Sequence, residues 1–595
     1  MAIKQKIRIG DLLVQNGVIS EDQLQQALVK QKSTGLRLGR TLINLGFVQE
    51  DNFLGFLSEQ LNIPFVDLRR YRFDALAVQK LSETHARRFR AIVLSEKGGA
   101  LLVGMADPTD IYAFDALERM LQQPIDQAVV RESELLATLD LVYRRTDEIA
   151  GFAEQLDDEL TDGQFDLASL APSSDDSDAP VVKLLQSLFQ DAVQIRASDI
   201  HIEPDEQVLR IRQRIDGVLQ EQVVKERRIA PALVLRLKLM SGLDISEKRL
   251  PQDGRFSLKV KERRIDVRLS TMPVEHGESV VMRLLDQTDG AADLDNVGMH
   301  GEMLEQFRKL VHMPHGLILV TGPTGSGKTT TLYGALQELN DVGKKIITVE
   351  DPVEYRLSRI NQVQINPKIG LSFAKVLRAA LRQDPDILLV GEIRDQETAE
   401  IALRAAMTGH LVLSTLHTND AVSSAMRLVD MGAEGFLAAT AIRAVLAQRL
   451  VRRLCDNCYV DYTPGNRERS WIAHVMGPGQ TSDIALKAAS GCHRCNNTGY
   501  RGRIGVFELL VLNDDMADAL RRSDSSAFVK AARKSKGYRP LVVSALAEAM
   551  NGVTSLEEVY RVAEQIDEEG DFKLEESQPV QTVNEPGTGE QPGAN

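Results

Sequence analysis

Two stretches near the N-terminus carry the same order of apolar and polar positions. Arg8-Ile9-Gly10-Asp11-Leu12-Leu13-Val14-Gln15-Asn16-Gly17 aligns with Arg37-Leu38-Gly39-Arg40-Thr41-Leu42-Ile43-Asn44-Leu45-Gly46. Downstream, Leu24, Leu28 and Gln31 fall opposite Phe53, Leu57 and Gln60. Each copy predicts a short helix, a turn at Gly17 or Gly46, and a second helix with apolar residues at helical spacing. From about Asn62 to Leu141 the pattern predicts a compact α/β unit, with strands at Ile92–Leu94 and Leu101–Met105 and helices at Ala113–Leu121 and Glu132–Tyr143. Farther along, an amphipathic helix over Val181–Ala197 leads to a strand over Val208–Gln213, a hairpin turn at Asp216-Gly217, and alternating strands around Arg268 and Arg283. The apolar run Gly316–Thr321 reads as a buried parallel strand, and Thr329–Leu339 as a helix. Further strands are expected at Ile346–Val349, Ile387–Val390 and from Leu411, and helices to about Glu564.

Charge and composition refine this picture in two places. Between Arg145 and Lys183 there is no Lys, Arg or His while Asp and Glu are frequent, which predicts a flexible acidic linker over 146–180. The Pro/Gly/Glu-rich end, 566–595, reads as a disordered acidic tail. The chain thus divides into 1–145, the linker, 181–297, 298–565 and the tail. At 595 residues several domains are required, since single cores stop growing at roughly 250–300 residues. The net charge of −14 argues against general nucleic-acid binding. No apolar run approaches the ~20 residues that span a bilayer, and no long apolar segment follows Lys4, Lys6 and Arg8. A cytoplasmic location is therefore expected, with no transmembrane segment and any membrane role exerted through a partner.

The strand, glycine loop and helix around Gly322-Pro323-Thr324-Gly325-Ser326-Gly327-Lys328-Thr329 form a G-x-x-x-x-G-K-T phosphate loop, continued by Thr330. Glycines let backbone N–H groups close on phosphate oxygens, and the helix N-terminus adds partial positive charge. Lys328 reaches the β- and γ-phosphates of an ATP-like ligand, and the Thr329 hydroxyl is a ligand for Mg²⁺. Acidic residues follow two later strands, at Glu350-Asp351-Pro352-Val353-Glu354 and Gly391-Glu392, where ligands of an open α/β sheet bind. Another strand is bracketed by His410 and His417. Arg378 and Arg382 share a helical face, either solvated or turned to a neighbouring subunit.

The four cysteines form two C-x-x-C pairs, Cys455/Cys458 and Cys492/Cys495. In a reducing compartment this reads as a closed, structural Zn²⁺ site; a redox pair needs one such motif and not two.

The block Ser198-Asp199-Ile200-His201-Ile202-Glu203-Pro204, with Arg214-Ile215-Asp216-Gly217 and Pro251-Gln252-Asp253-Gly254-Arg255, followed by the phosphate loop, acidic box, Glu-type Walker B strand and histidine box, resembles the type II secretion and type IV pilus assembly ATPase family. His201 alone reads as a satisfied strand residue. The resemblance implies a multidomain α/β protein: a PAS-like second domain, a RecA-like P-loop ATPase core and a tetracysteine zinc lobe over 455–495. It assigns Glu354 as the water-activating base, with Glu350 the next candidate, Glu392 as the Mg²⁺-side acid, His417 as a γ-phosphate sensor, and Arg268 and Arg283 as arginines reaching the γ-phosphate. It also implies a homo-hexamer acting on an inner-membrane platform protein. The repeat in turn resembles the cyclic-di-GMP-binding N-terminal domain of the MSHA-pilus assembly ATPases, a helical-repeat and α+β unit. An arginine beside a glycine clamps phosphate or stacks on a base, and two copies suit a two-fold ligand; the competing reading is a duplicated helical hairpin. The resemblance assigns Arg8, Ile9, Gly10, Leu28, Gln31, Arg37, Leu38, Gly39, Leu57, Gln60 and Asp107 to cyclic-di-GMP. Ile9 stands where that motif usually has Leu. A type II secretion motor, a nucleotide-gated scaffold without turnover, and a DNA translocase remain as alternatives, the last disfavoured by the acidic balance.

Overall fold

The computed structural model describes residues 9–34, 38–69, 71, 73, 77–78, 80–142, 146–161, 179–260, 262–286, 293–476 and 484–567. The repeat forms two helical hairpins, α1 (Ile9–Gln15) with α2 (Glu21–Thr34) and α3 (Leu38–Asn44) with α4 (Glu50–Leu61). Gly17 and Gly46 turn them at φ 69° and 72°, a region that favours glycine. Leu13, Leu24, Leu42, Phe53 and Leu57 share one core, which also takes in Val129 of the next unit. That unit holds β1 (Ala91–Lys97), β2 (Ala100–Met105) and β3 (Ile125–Val129) in that spatial order, with helices Ile111–Leu121 and Glu132–Val142.

The linker expected over 146–180 begins instead as a helix, Thr146–Thr161. Ile149, Ala153 and Leu156 lie along one stripe and enter the core of the following domain with Leu184 and Leu188. An apolar stripe at helical spacing decides this burial, and the lack of basic residues does not oppose it. The remainder of that expectation, 162–178, and the tail from 568 lie outside the described residues.

The second domain is a six-stranded antiparallel sheet built from β4 (Ala197–Pro204), β5 (Leu209–Ile215), β6 (Val218–Val224), β7 (Gln252–Val260), β8 (Arg263–Val274) and β9 (Gly277–Asp286), in the order β6-β5-β4-β9-β8-β7. Alternation divides its faces. Ile200, Ile202, Val267, Leu269 and Met282 pack in one core with residues of the helices Pro180–Gln194 and Ala230–Met240. Asp199, His201, Arg268 and Arg283 alternate with them along the strands, so they stand on the opposite face.

The third domain holds β10 (Gly316–Thr321), β11 (Ile346–Glu350), β12 (Asn361–Gln364), β13 (Ile387–Val390), β14 (Leu411–Leu416), β15 (Ile442–Leu454) and, after β16 (Val460–Tyr462) and β17 (Leu486–Ala488), β18 (Tyr500–Val511). The order is β12-β11-β13-β14-β10-β15-β18, parallel except for β18 against β15. Leu317 and Leu319 belong to one core, Ile318 and Val320 to another. That two-sided burial is why Leu317–Val320 of β10 is apolar throughout, and it gives the expected RecA-like core. The loops after β10, β11, β13 and β14 all open at the carboxyl end of the parallel strands, which positions the site.

Candidate functional site

The phosphate loop joins β10 to the helix Lys328–Leu339. At Gly322 (φ 144°) a Cβ would lie 2.4 Å from the Gln448 carbonyl oxygen, and at Gly327 (φ 90°) 2.7 Å from Gln448 Nε2. Strand β15 therefore presses on the loop from below, and only glycine fits there. Ser326 Oγ is buried with no hydrogen-bond partner among the described residues, a polar atom held ready for a ligand's oxygen. Lys328 Nζ donates to the carbonyls of Gly322 (2.7 Å) and Pro323 (3.0 Å). Burial lowers the Lys328 pKa to about 8, opposed by the nearby Glu392 carboxylate.

That shift has a measurable consequence. Phosphate oxygens need the charged ammonium, so nucleotide capture restores a proton that the free site has lost above pH 8. Affinity for MgATP is expected to fall by up to about tenfold per pH unit between pH 8 and the ordinary lysine range, with proton uptake on binding. Calorimetry at pH 9 in buffers of different protonation enthalpy measures the uptake; equal heats in all buffers would refute it.

The acidic groups divide by role. Glu350, at the end of β11, is buried and accepts hydrogen bonds from the hydroxyls of Tyr333 and Thr348 and from Gln362 Nε2 (3.3 Å). It is committed to a structural network. Glu354 lies beyond it in the loop and meets Arg268 of β8, with Oε2 2.6 Å from the guanidinium, while Arg268 also donates to the Val353 carbonyl (3.1 Å). The second domain thus reaches the acidic loop through Arg268. Arg283 does not join it: its Nε donates to Asp199 (3.1 Å) on the neighbouring strand β4. Glu392, after β13, pairs with Arg394 and lies 3.2 Å from His417 Nε2 at the end of β14. Glu392 and the Thr329 hydroxyl are oxygen donors of the kind Mg²⁺ takes. Arg378 pairs with Glu397, and Arg382 donates to the Arg378 carbonyl (2.7 Å). Thr330 is exposed on the first turn of the helix.

Residues 174–561 match the family model for type II/IV secretion system proteins. The chain belongs to this family. The type IV pilus assembly ATPase PilB of Myxococcus xanthus is 40% identical over 93% of this chain and 98% of that protein. Type II secretion system protein E of Xanthomonas campestris is 42% identical over 94% of this chain and 98% of that protein. Residues 61–149 match the MshEN domain model. A solved structure of MshE with cdg is 45% identical and covers 23% of this chain and 100% of that chain, with a TM-score of 0.23.

This secretion-family chain brings its four cysteines together as expected. The Sγ atoms of Cys455, Cys458, Cys492 and Cys495 all lie within 4.8 Å of one another and all four residues are buried. Asn457 Nδ2 (3.5 Å) and the Gly499 N–H (3.2 Å) point at sulfur, as they do toward thiolates. Four thiolates can share so small a buried space only with a cation among them, and the donor set fits Zn²⁺.

At the N-terminal repeat, Arg8 and Arg37 lie outside the described residues. The motif glycines are packing positions: a Cβ at Gly10 would lie 2.7 Å from Leu24, and at Gly39 2.5 Å from Phe53. Leu28, Gln31 and Leu38 are half-buried, Leu57 is buried and Gln60 exposed. Asp107 Oδ1 accepts from the N–H (3.0 Å) and hydroxyl (2.6 Å) of Thr109, a turn-capping arrangement. Two residues of the nucleotide site escape the sequence reading. Tyr333 couples the loop helix to Glu350, and its hydroxyl also accepts from the Glu354 N–H (3.4 Å). Gln448 underlies the loop and accepts from Thr331 Oγ1 (2.8 Å). The signal for Gln448 is a polar pair, Gln448-Arg449, set between the apolar runs Ala444–Ala447 and Leu450-Val451 of β15.

Proposed function

We propose that the chain is a Mg²⁺-dependent ATP hydrolase that works as a cytoplasmic homo-hexamer and drives type IV pilus assembly at an inner-membrane platform protein. The observation that carries this reading is the contact of Arg268 with Glu354 beside the phosphate loop. A carboxylate suited to orienting the attacking water meets, on another domain, an arginine suited to the transferring phosphoryl group. Chemistry at that joint changes what holds the two domains together, which is how hydrolysis becomes motion. Glu354 would serve as base, Glu392 with Thr329 as the Mg²⁺ ligands, and His417 as the sensor of the γ-phosphate. Mg²⁺, when bound, neutralises charge between the β- and γ-phosphates. Zn²⁺ at the four cysteines would be structural. The test is phosphate release by assembled protein against Lys328→Ala: equal rates leave only a nucleotide-gated scaffold. A type II secretion motor is the second reading, favoured by the equally strong match to the Xanthomonas secretion protein.

Cyclic-di-GMP is the regulatory ligand in this reading, supported by the MshEN match and the doubled Arg-x-Gly motif. The set is Arg8, Ile9, Gly10, Leu28, Gln31, Arg37, Leu38, Gly39, Leu57, Gln60 and Asp107. Regulation requires that the dinucleotide prefer one nucleotide state, and the coupling is then reciprocal. Titration of the full chain should show tighter cyclic-di-GMP binding in one nucleotide state, and Arg8→Ala or Arg37→Ala should each weaken binding by about tenfold or more. No binding by the unmutated chain removes the regulatory part and leaves the motor.

A further inference from the structure

A cleft of about 670 Å³ lies between the β7–β8 hairpin and the acidic loop. Four arginines line it: Arg255, Arg264, Arg268 and Arg356. Register explains how two of them meet. Arg255 stands directly opposite Arg268, which stands opposite Arg283, so three arginines form one row across β7, β8 and β9. Like charges directly opposite on a sheet repel. Two members of the row are neutralised, Arg283 by Asp199 and Arg268 by Glu354. Arg255 has no carboxylate partner among the described residues, and neither do Arg264 and Arg356. Of the two carboxylates lining the cleft, Glu354 is held by Arg268 and Asp266 accepts from the Ser257 hydroxyl. The cleft therefore presents three planar guanidinium groups with their donors unspent. That fork geometry matches tetrahedral oxyanions.

We propose that this cleft is a phosphate-binding site separate from the phosphate loop, with Arg255, Arg264 and Arg356 as its ligands, and that it takes the inorganic phosphate released by hydrolysis. The inference rests on the hydrolase reading above. Glu354 belongs to both places: it lines the cleft, and its backbone N–H is tied to Tyr333 of the phosphate-loop helix. An anion arriving in the cleft competes for Arg268 and so loosens its hold on Glu354. Departure of phosphate restores the ion pair.

The experiment is equilibrium binding of radiolabelled inorganic phosphate to the full-length protein, with the phosphate loop saturated by MgADP. Phosphate is expected to bind in the presence of MgADP. Arg255→Ala and Arg356→Ala should each weaken it by about tenfold, the loss of one charge-assisted hydrogen bond, with ADP affinity unchanged. Arg255→Lys should recover part of the loss. Both arginines are exposed, so the thermal midpoint of the variants checks that folding is intact. Lys328→Ala, which cripples the phosphate loop, should leave phosphate binding in place. Phosphate binding by the unmutated protein, with no phosphate released from MgATP by that same protein, would sink the motor and spare the site. Loss of phosphate binding on adding MgADP or in Lys328→Ala places the anion in the phosphate loop and overturns the proposal. A second equivalent of ADP that disappears in Arg255→Ala gives the cleft to a nucleotide, and likewise overturns it.

Discussion

Glu354→Gln is expected to lower phosphate release by two to four orders of magnitude while MgATP still binds, the range lost when a positioned general base is removed. The substitution is close to isosteric. The amide carbonyl oxygen that replaces the carboxylate keeps an acceptor for Arg268, so the contact seen between Glu354 and Arg268 survives in weakened form and the domains stay together. What disappears is basicity at the place where the attacking water must be oriented. Glu350 supplies the control. Its oxygens are committed to Tyr333, Thr348 and Gln362 in a buried network, so Glu350→Gln should lower stability through mismatched donors rather than act on turnover alone. Lys328→Ala should remove both binding and turnover. A Glu354→Gln enzyme within threefold of wild type would end the base assignment, and a parallel fall in MgATP affinity would make Glu354 a binding group instead.

The contrast between Arg268 and Arg283 marks how far sequence carries such an assignment. Both arginines are legible as polar positions of alternating strands, and the register does set them side by side. Only packing against the acidic loop separates them, and no local pattern encodes which end of a row another domain covers. The nucleotide loop and its flanking strands are readable for the opposite reason. Their chemistry is local: glycines where a Cβ would strike Gln448, an apolar strand buried on both sides, a lysine at the helix start. Tyr333 is not readable because a buried tyrosine on a helix looks like core until its hydroxyl is seen at Glu350. The helix Thr146–Thr161 is hidden by its charge composition, which masks an apolar stripe at Ile149, Ala153 and Leu156. In the N-terminal repeat, Gly10 and Gly39 stand in the same relation to Leu24 and Phe53 in both copies. Hairpin packing therefore accounts for the glycines of the doubled motif.

Removal of metal from the tetracysteine cluster is expected to open the lobe over 455–495 while leaving the nucleotide site folded. Around the cysteines themselves the lobe has little regular structure among the described residues. Its own sheet is β16 with β17, three residues each, far below what a two-stranded ribbon needs to stand alone. Structural Zn²⁺ contributes about 10–16 kcal/mol in small zinc-folded peptides, more than such a ribbon can replace. The base of the lobe is fastened independently, by Arg452 bonded to Glu558 (2.8 Å) and by Tyr500 bonded to Ser555 (2.7 Å), so damage should stop there. Ile472 and Leu486 belong to the large core and limit how far the lobe can swing. Cys458→Ser should drop bound zinc from one per chain to none, raise hydrogen exchange across 455–495 by orders of magnitude, and leave ADP binding at Lys328 within a fewfold of wild type. The helix Glu132–Val142 packs against His493–Cys495, so its exchange should rise as well, carrying the disturbance into the N-terminal domain. Zinc-free protein with unaltered protection in the lobe would show that the thiols are only buried side chains. Loss of ADP binding along with the zinc would show that the lobe and the nucleotide core fold as one unit.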